Sequence, residues 1–265
     1  RDAFLVLEIF TLLESDHMFL GGYELHNRSD SAVYPKQVSF FMSMQAMCSA
    51  YVSVGGLESH VDIVEICGGV GYTAHMFMRR YHKNGGRVGH NCDVVCGVDL
   101  LDKDDVRWFW TYLRKCKPLV TVISTPCTGM AGWGSLNRVV NHDSWKQSFD
   151  VSRALGVLGG EIALEQLTEG RHFFDEHPLG SKKFELPIWK RVLAHPASKQ
   201  CTVHQCKTGL SDASTGLPVR KATELTASDE SLLSRFRNKL CTGKHTCPQH
   251  SRIEGGNSKA MQVWP

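Results

Sequence analysis

No apolar run in these 265 residues approaches the roughly 20 needed to cross a bilayer, so no helical membrane span is expected. The opening residues, RDAFLVLEIFTLLESD, contain neither a basic leader nor a small-residue cleavage site, and no secretory signal is read there. Internal repeats and low-complexity tracts are also lacking, which argues against a solenoid. The 10 cysteines are spread through apolar runs and loops without the dense spacing of a disulfide scaffold, so a soluble protein of a reducing, intracellular compartment is expected. Charge of one sign is scarce: a net +3 is compatible with a nucleic-acid partner but does not establish one, because phosphate attraction depends on where cations cluster. The chain starts at Arg1 and stops at Trp264-Pro265 directly after a motif-like stretch, and therefore reads as a domain of a longer polypeptide.

Residues 1–60 read as an N-terminal helical segment, with apolar repeats at 3–13 and 36–52 separated by a loop of turn composition. From Val61 the pattern changes to short apolar runs alternating with longer amphipathic stretches, the signature of an α/β fold whose parallel strands are joined by helical crossovers. Strands are predicted at 61–67, 93–98, 119–124 and 172–176, and helices at 72–84, 103–115 and 144–169. Beyond His195 the apolar content thins, and residues 197–255 read as a smaller lobe of short strands and loops.

Glu65-Ile66-Cys67-Gly68-Gly69-Val70-Gly71 falls where the first strand turns into the first helix, with three glycines that let the backbone approach a ligand. Close strand-to-helix packing would need such glycines too. Asp99, followed by Leu100, closes the next expected strand about 30 residues on, where a carboxylate can accept from ribose hydroxyls. The order Gly-Gly-x-Gly behind an acid suits a positively charged group, such as the methionine sulfonium of S-adenosylmethionine, better than a phosphate.

Ser124-Thr125-Pro126-Cys127 lies at the carboxyl end of another expected strand, where open α/β sheets bind ligands. Carbon 5 of cytosine is a poor nucleophile, and a thiolate added to carbon 6 creates an enamine that can attack a methyl sulfonium. The addition needs an acid at ring nitrogen N3, and Asp175-Glu176-His177-Pro178 offers Glu176 at the end of the following strand. A single cysteine is more often a small buried residue than a catalyst, so the ordered set carries the argument.

In that order the motifs resemble those of the DNA cytosine carbon-5 methyltransferase family, across residues 61–265 or about three quarters of the chain. EICGGVG is similar to the family's cofactor turn, STPC to its Pro-Pro-Cys loop and DEHP to its Glu-Asn acid motif. Cys206-Lys207-Thr208-Gly209 and Val219-Arg220-Lys221-Ala222-Thr223 resemble the segments carrying a second active-site cation, for which Arg220 is chosen with Lys221 close behind. Gly256-Asn257-Ser258 resembles the closing motif, adding Asn257 and Ser258 to the cofactor residues together with Pro126. Thr125 for the first proline, Ala131 for a serine and His177 for asparagine depart from the pattern, and adenine recognition is left among Asp102, Asp104 and Asp105.

The resemblance implies a Rossmann-like methyltransferase sheet with helices on both faces. The catalytic part would be 61–196, the target-recognition lobe 197–255, and 256–265 a return to the catalytic part. It implies S-adenosylmethionine as cofactor, duplex DNA as partner and the nucleus as location. The spacing through GRHFFDEHPLGSKKFELPIW and CTGKHTCPQH looks more specifically like methyltransferase domains carried by eukaryotic retroelements or viruses.

Cys241-x3-His245-x-Cys247-x2-His250 gathers four ligands able to close a tetrahedral zinc site. Arg138, Lys146, Arg171, Lys182, Lys183, Arg220, Lys221, Arg235, Arg237, Lys239 and Lys244 are candidates for phosphate contacts. A cytosine in duplex DNA would have to leave the stack, with the glycine-rich loop 129–138 and Trp133 closing over it. The alternatives are an RNA cytosine-5 methyltransferase, whose attacking cysteine would follow the acid motif where this chain has none, and a non-catalytic nucleic-acid binder.

Overall fold

The computed structural model describes residues 60–69, 71–132, 134–243 and 249–253. The helical repeats of 1–59, Val70, Trp133, Lys244, His245, Cys247, Asn257 and Ser258 lie outside the described residues. The described chain is α/β: six strands form one mixed sheet, ordered β2-β1-β3-β4-β6-β5, with helices between them in sequence. The strands are β1 (Ile63–Ile66), β2 (Val88–Cys92), β3 (Val120–Ile123), β4 (His172–Pro178), β5 (Lys199–His204) and β6 (Ala222–Ala227). The helices are α1 (Tyr72–Tyr81), α2 (Lys103–Cys116), α3 (Gly134–Val140), α4 (His142–Thr168) and α5 (Pro187–Ala194). No helix among the described residues is long and apolar enough to cross a membrane.

The chain divides into two compact units between Val122 and Ile123. In the unit ending at Val122, β1 pairs in parallel with β2, and Ile63, Val64 and Ile66 are buried with Phe77 of α1 and Phe109 and Leu113 of α2. α2 carries every local helix signal: Asp102 accepts from the backbone N–H groups of Asp104 and Asp105, acids fill its first turn, and Arg114 and Lys115 lie in its last. The second strand departs from expectation. It is VGHNC at 88–92, whereas the β-branched stretch 93–98 forms a short 3-10 turn that Asp93 caps and Gly97, at φ 83°, ends. Val94 and Val95 are consequently exposed. Gly89 is required because a β-carbon there would lie 2.2 Å from the Tyr112 hydroxyl oxygen, which itself accepts from the His90 N–H at 2.7 Å.

In the unit from Ile123 onward, β6 pairs antiparallel with both β4 and β5, so residues 199–227 supply strands of the main sheet as well as loops. α4 begins at Asn141, whose side chain accepts from Ser144, and closes on Gly170 at φ 66°. Gly156, Gly159 and Gly160 let α4 approach its neighbours. A β-carbon on Gly160 would sit 2.6 Å from Ile188, and one on Gly159 would sit 3.1 Å from Ile123. Trp189 of α5 is fully buried and donates its indole N–H to the Gly156 carbonyl at 2.7 Å.

Candidate active site

The glycine turn after β1 is held in left-handed backbone at Cys67, Gly69 and Gly71, with φ of 54°, 61° and 77°. Glycine reaches this region at little cost, whereas Cys67 holds a side chain where few residues other than glycine go. Glu65 folds beneath the turn. A β-carbon on Gly68 would lie 2.3 Å from its Cγ, and its Oε2 accepts from the Ala74 N–H in the first turn of α1 at 3.1 Å. Burial raises the Glu65 carboxyl to about 7 despite that hydrogen bond.

Beside it, Asp93 Oδ2 accepts from the Gly69 N–H at 2.9 Å and Asn91 donates to the Gly69 carbonyl at 2.7 Å. Asn91 Oδ1 is buried without a partner, and a β-carbon on Gly69 would meet nothing within 4 Å. The turn thus offers the Asp93 carboxylate and an orphaned acceptor next to open backbone, with Glu65 buried beneath it. Such acceptors fit a ligand carrying hydroxyls and positive charge.

It is Asp93 rather than Asp99 that is hydrogen-bonded to this turn. Because β2 ends at Cys92, Asp93 is the acid at its end; Asp99 is exposed and accepts from Leu101, and Leu100 is a buried core residue. Asp102 and Asp105 are likewise committed to the start of α2, Asp102 as its cap and Asp105 as acceptor from the Asp99 N–H.

Glu65→Gln keeps an acceptor for Ala74 while removing the titration. A carboxyl raised in the folded state stabilises fully below its ordinary value of 4.5, and that contribution is lost as pH rises through about 7. The glutamine variant is expected to gain on wild type by up to about 3 kcal/mol between pH 5 and pH 8. Urea unfolding at both pH values checks this, and a pH-independent difference would contradict the buried carboxyl.

The second cluster lies in the unit from Ile123 onward. Cys127 follows β3, and its carbonyl accepts from Met130 and Ala131 at 2.9 and 2.8 Å, which closes the loop into a tight turn. Gly129 seats this turn on α4: its N–H donates to Ser152 Oγ at 3.3 Å, and a β-carbon would collide with the Phe149 backbone at 2.3 Å. Pro126 is exposed and Cys127 half-buried.

Glu176 of β4 faces Lys221, with Nζ 3.7 Å from Oε1, and the Gln205 amide donates to the same oxygen at 3.5 Å. Burial, then the Glu176 charge, push the Cys127 thiol up, while Lys221 and Lys183 pull it down. The thiol, the carboxylate and the two ammonium groups therefore act on one another within a single neighbourhood.

Around them are polar atoms that want partners. Thr125 Oγ1 and Gln205 Oε1 are buried without one. The Thr125 backbone favours the charged ring slightly, but burial of His177 dominates and keeps the imidazole neutral, well below its ordinary range. Such orphaned groups are costly unless a ligand satisfies them. The loop also lines a cavity of about 240 Å³ with Gly129, Ser135, Arg138, Trp145 and Lys182, in which the Arg138 guanidinium stands 5.3 Å over the Trp145 ring.

Removing the Glu176 charge with Glu176→Gln lowers the thiol pKa, so iodoacetamide is expected to modify Cys127 faster at pH 8. Lys221→Ala acts oppositely, and in wild type the rate keeps climbing as pH rises beyond 9 because the thiol is raised from that ordinary value. Equal rates in all three proteins would show that the charges do not reach the sulfur.

Several sequence expectations are corrected here. Arg220 is exposed, and its charge acts on His204 and Cys206; Lys221 is the cation at Glu176. Lys183 cannot contact phosphate: it is fully buried and donates to both oxygens of Asp175 at 2.6 and 2.8 Å. Arg237 grips Glu230 and the Gln200 carbonyl, Arg171 bonds Gln166, and Lys146 pairs with Asp150. Of the expected metal ligands, Cys241 and His250 meet with Cys206, a thiol not assigned to that set, while His245 and Cys247 lie outside the described residues. Gln205, Asn91 and Asp93 carry no sequence signal for function beyond place: Gln205 directly follows β5, Asn91 is the penultimate residue of β2 and Asp93 directly follows β2.

Comparison of the chain with protein-family models, with curated proteins and with solved structures returned no match.

Proposed function

We propose that this chain is an S-adenosylmethionine-dependent DNA cytosine carbon-5 methyltransferase domain. The observation that carries the reading is the Glu176 carboxylate, held by Lys221 Nζ at 3.7 Å and the Gln205 amide at 3.5 Å, in the unit whose tight turn after β3 carries Cys127. On this reading the Cys127 thiolate adds to carbon 6 of a flipped cytosine while the Glu176 carboxyl gives its proton to N3, and Lys221 and Gln205 hold the carboxylate that remains. Carbon 5 then takes the methyl group from the sulfonium. Loss of the carbon-5 proton to water expels the thiolate and returns the N3 proton to Glu176, leaving 5-methylcytosine and S-adenosylhomocysteine. Glu65, Gly68, Gly69, Gly71, Asn91 and Asp93 would hold the cofactor, in a Rossmann-like methyltransferase sheet with helices on both faces.

Two orphaned polar atoms, Thr125 Oγ1 two residues before Cys127 and Oε1 of Gln205, whose amide reaches Glu176, support a polar ligand, because a pyrimidine edge supplies both donors and acceptors. Arg138, Lys182, Arg220 and Arg235 remain as candidates for phosphates, and duplex DNA acted on in the nucleus is the proposed substrate.

Incubation with S-adenosylmethionine and DNA containing 5-fluorocytosine tests the proposal, since fluorine at carbon 5 blocks the last step and leaves protein attached to base. A DNA adduct lost in Cys127→Ala supports it. An adduct formed only with the corresponding RNA favours the RNA enzyme, although His177-Pro178 follows Glu176 where that class would need its cysteine. Nucleic-acid binding without any adduct favours the non-catalytic relative.

A further inference from the structure

We propose that Cys206, Cys241 and His250 bind one zinc ion, which ties the end of β5 to the returning segment 249–253. The ligand atoms of all three lie within 4.8 Å of one another, and Cys241 Sγ is 3.5 Å from His250 Nε2. Zinc held tetrahedrally by sulfur at about 2.3 Å and nitrogen at about 2.0 Å separates its ligands by roughly 3.3–3.8 Å, so the cluster needs little contraction. Two thiolates and an imidazole are the donor chemistry that selects this metal over calcium or magnesium.

The surroundings fix the ligands as a metal site requires. The Cys241 N–H donates to His204 Nδ1 at 2.8 Å and the His204 N–H to the Lys239 carbonyl at 3.0 Å, which sets the direction of the Cys241 side chain. The Gly243 N–H donates to Cys241 Sγ at 3.3 Å, the kind of outer contact that stabilises a metal-bound thiolate. Arg220 adds positive charge beside Cys206.

The fold has need of such a tie. Among the contacts that hold residues 249–253 are the Ser251–Pro218 backbone bond, the 2.6 Å contact from Ser251 Oγ to Asp212, and a small apolar group of Leu210, Val219 and Ile253. A metal supplies the closure that so few apolar residues do not. Cys206 also adjoins Gln205, which reaches Glu176 and Thr223, so the ion would brace the turn that supports the carboxylate.

Zinc content settles the matter without any assay of methylation, so this inference and the proposed function stand or fall separately. The chain, expressed with added zinc and purified under reductant, is expected to retain one zinc per molecule after gel filtration. Cobalt in its place should give the visible bands of a tetrahedral ion and a sulfur-to-metal charge-transfer band of two thiolates. In competition with a chromophoric chelator, Cys206→Ser and His250→Ala should each weaken binding by at least about tenfold, and Cys96→Ser should not. Absence of zinc from the reduced protein, a Cys206–Cys241 disulfide in place of the metal, or zinc held equally well by Cys206→Ser would each overturn the assignment. The cobalt spectrum of the unaltered chain keeps the test decisive should either variant fail to fold.

Discussion

Replacing Lys183 with methionine is expected to cost about 3–5 kcal/mol of folding stability, although no solvent-exposed feature changes. Asp175 and Lys183 are both 0% exposed, and the ammonium bridges both carboxylate oxygens. It also stands 4.4 Å over the Trp189 ring, so the aliphatic stem and sulfur of methionine have an aromatic surface to fill against. The cost therefore lies in the stranded Asp175 carboxylate more than in lost packing.

Burial already raises the Asp175 carboxyl and lowers the Lys183 ammonium, and removing the lysine raises the acid further. A raised carboxyl stabilises fully below its ordinary range, and that contribution is lost as pH rises through its folded value. The variant should thus lie nearest wild type at about pH 5 and fall away towards pH 8. The double change Asp175→Leu with Lys183→Met removes both charges and should recover most of the loss, since apolar residues of similar volume commonly replace a buried pair at little cost. Urea denaturation of the three proteins at both pH values checks the prediction. A loss in Lys183→Met that is unaffected by pH and unrepaired in the double variant would mean that packing, not charge, dominates.

That pair also marks where sequence reasoning reached its limit. α2 was legible because its signals are local: Asp102 precedes it, acids open it and Arg114 and Lys115 close it. β3, which leads to Cys127, and β4, which carries Glu176, were legible as apolar runs, and strand ends in such sheets are where ligand chemistry is expected. β2 was not, because Gly89, His90 and Asn91 give it no strand composition; its pairing with β1 and the contact of Gly89 with Tyr112 create it.

The same division holds within the site. Nothing local distinguishes Lys183 from a surface lysine, and its burial depends on Asp175 and Trp189. Gln205 acquires a role only because β4 and β6 bring Glu176 and Thr223 to it. The sequence groups Cys241, His245, Cys247 and His250 within one stretch of ten residues, whereas the fold brings Cys206, from before β6, to Cys241 and His250. Lys221 against Arg220 is a difference of one residue beside a strand, where successive side chains point to opposite faces.

That one-residue difference gives the second large expectation. Under the proposed function, Cys127→Ala should lower methyl transfer to cytosine-containing DNA by roughly 10⁴-fold or more, since no other group can open the route through carbon 6. Glu176→Gln should cost about 10²–10⁴-fold, the usual contribution of a positioned acid. Lys221→Ala strands the Glu176 carboxylate beside Cys127 and withdraws a positive charge from the thiol, so a loss of about 10²-fold in kcat is expected.

Arg220→Ala should leave kcat within about tenfold and raise KM in a salt-dependent way, as for an exposed cation that meets phosphate. Steady-state kinetics at two salt concentrations separate these outcomes. Should Arg220→Ala collapse kcat while Lys221→Ala spares it, the cation at the carboxylate has been misassigned and the register around β6 must differ in the working enzyme. Should both spare kcat while Cys127→Ala abolishes it, Glu176 acts without a cationic partner, and the Gln205 amide is left as its support.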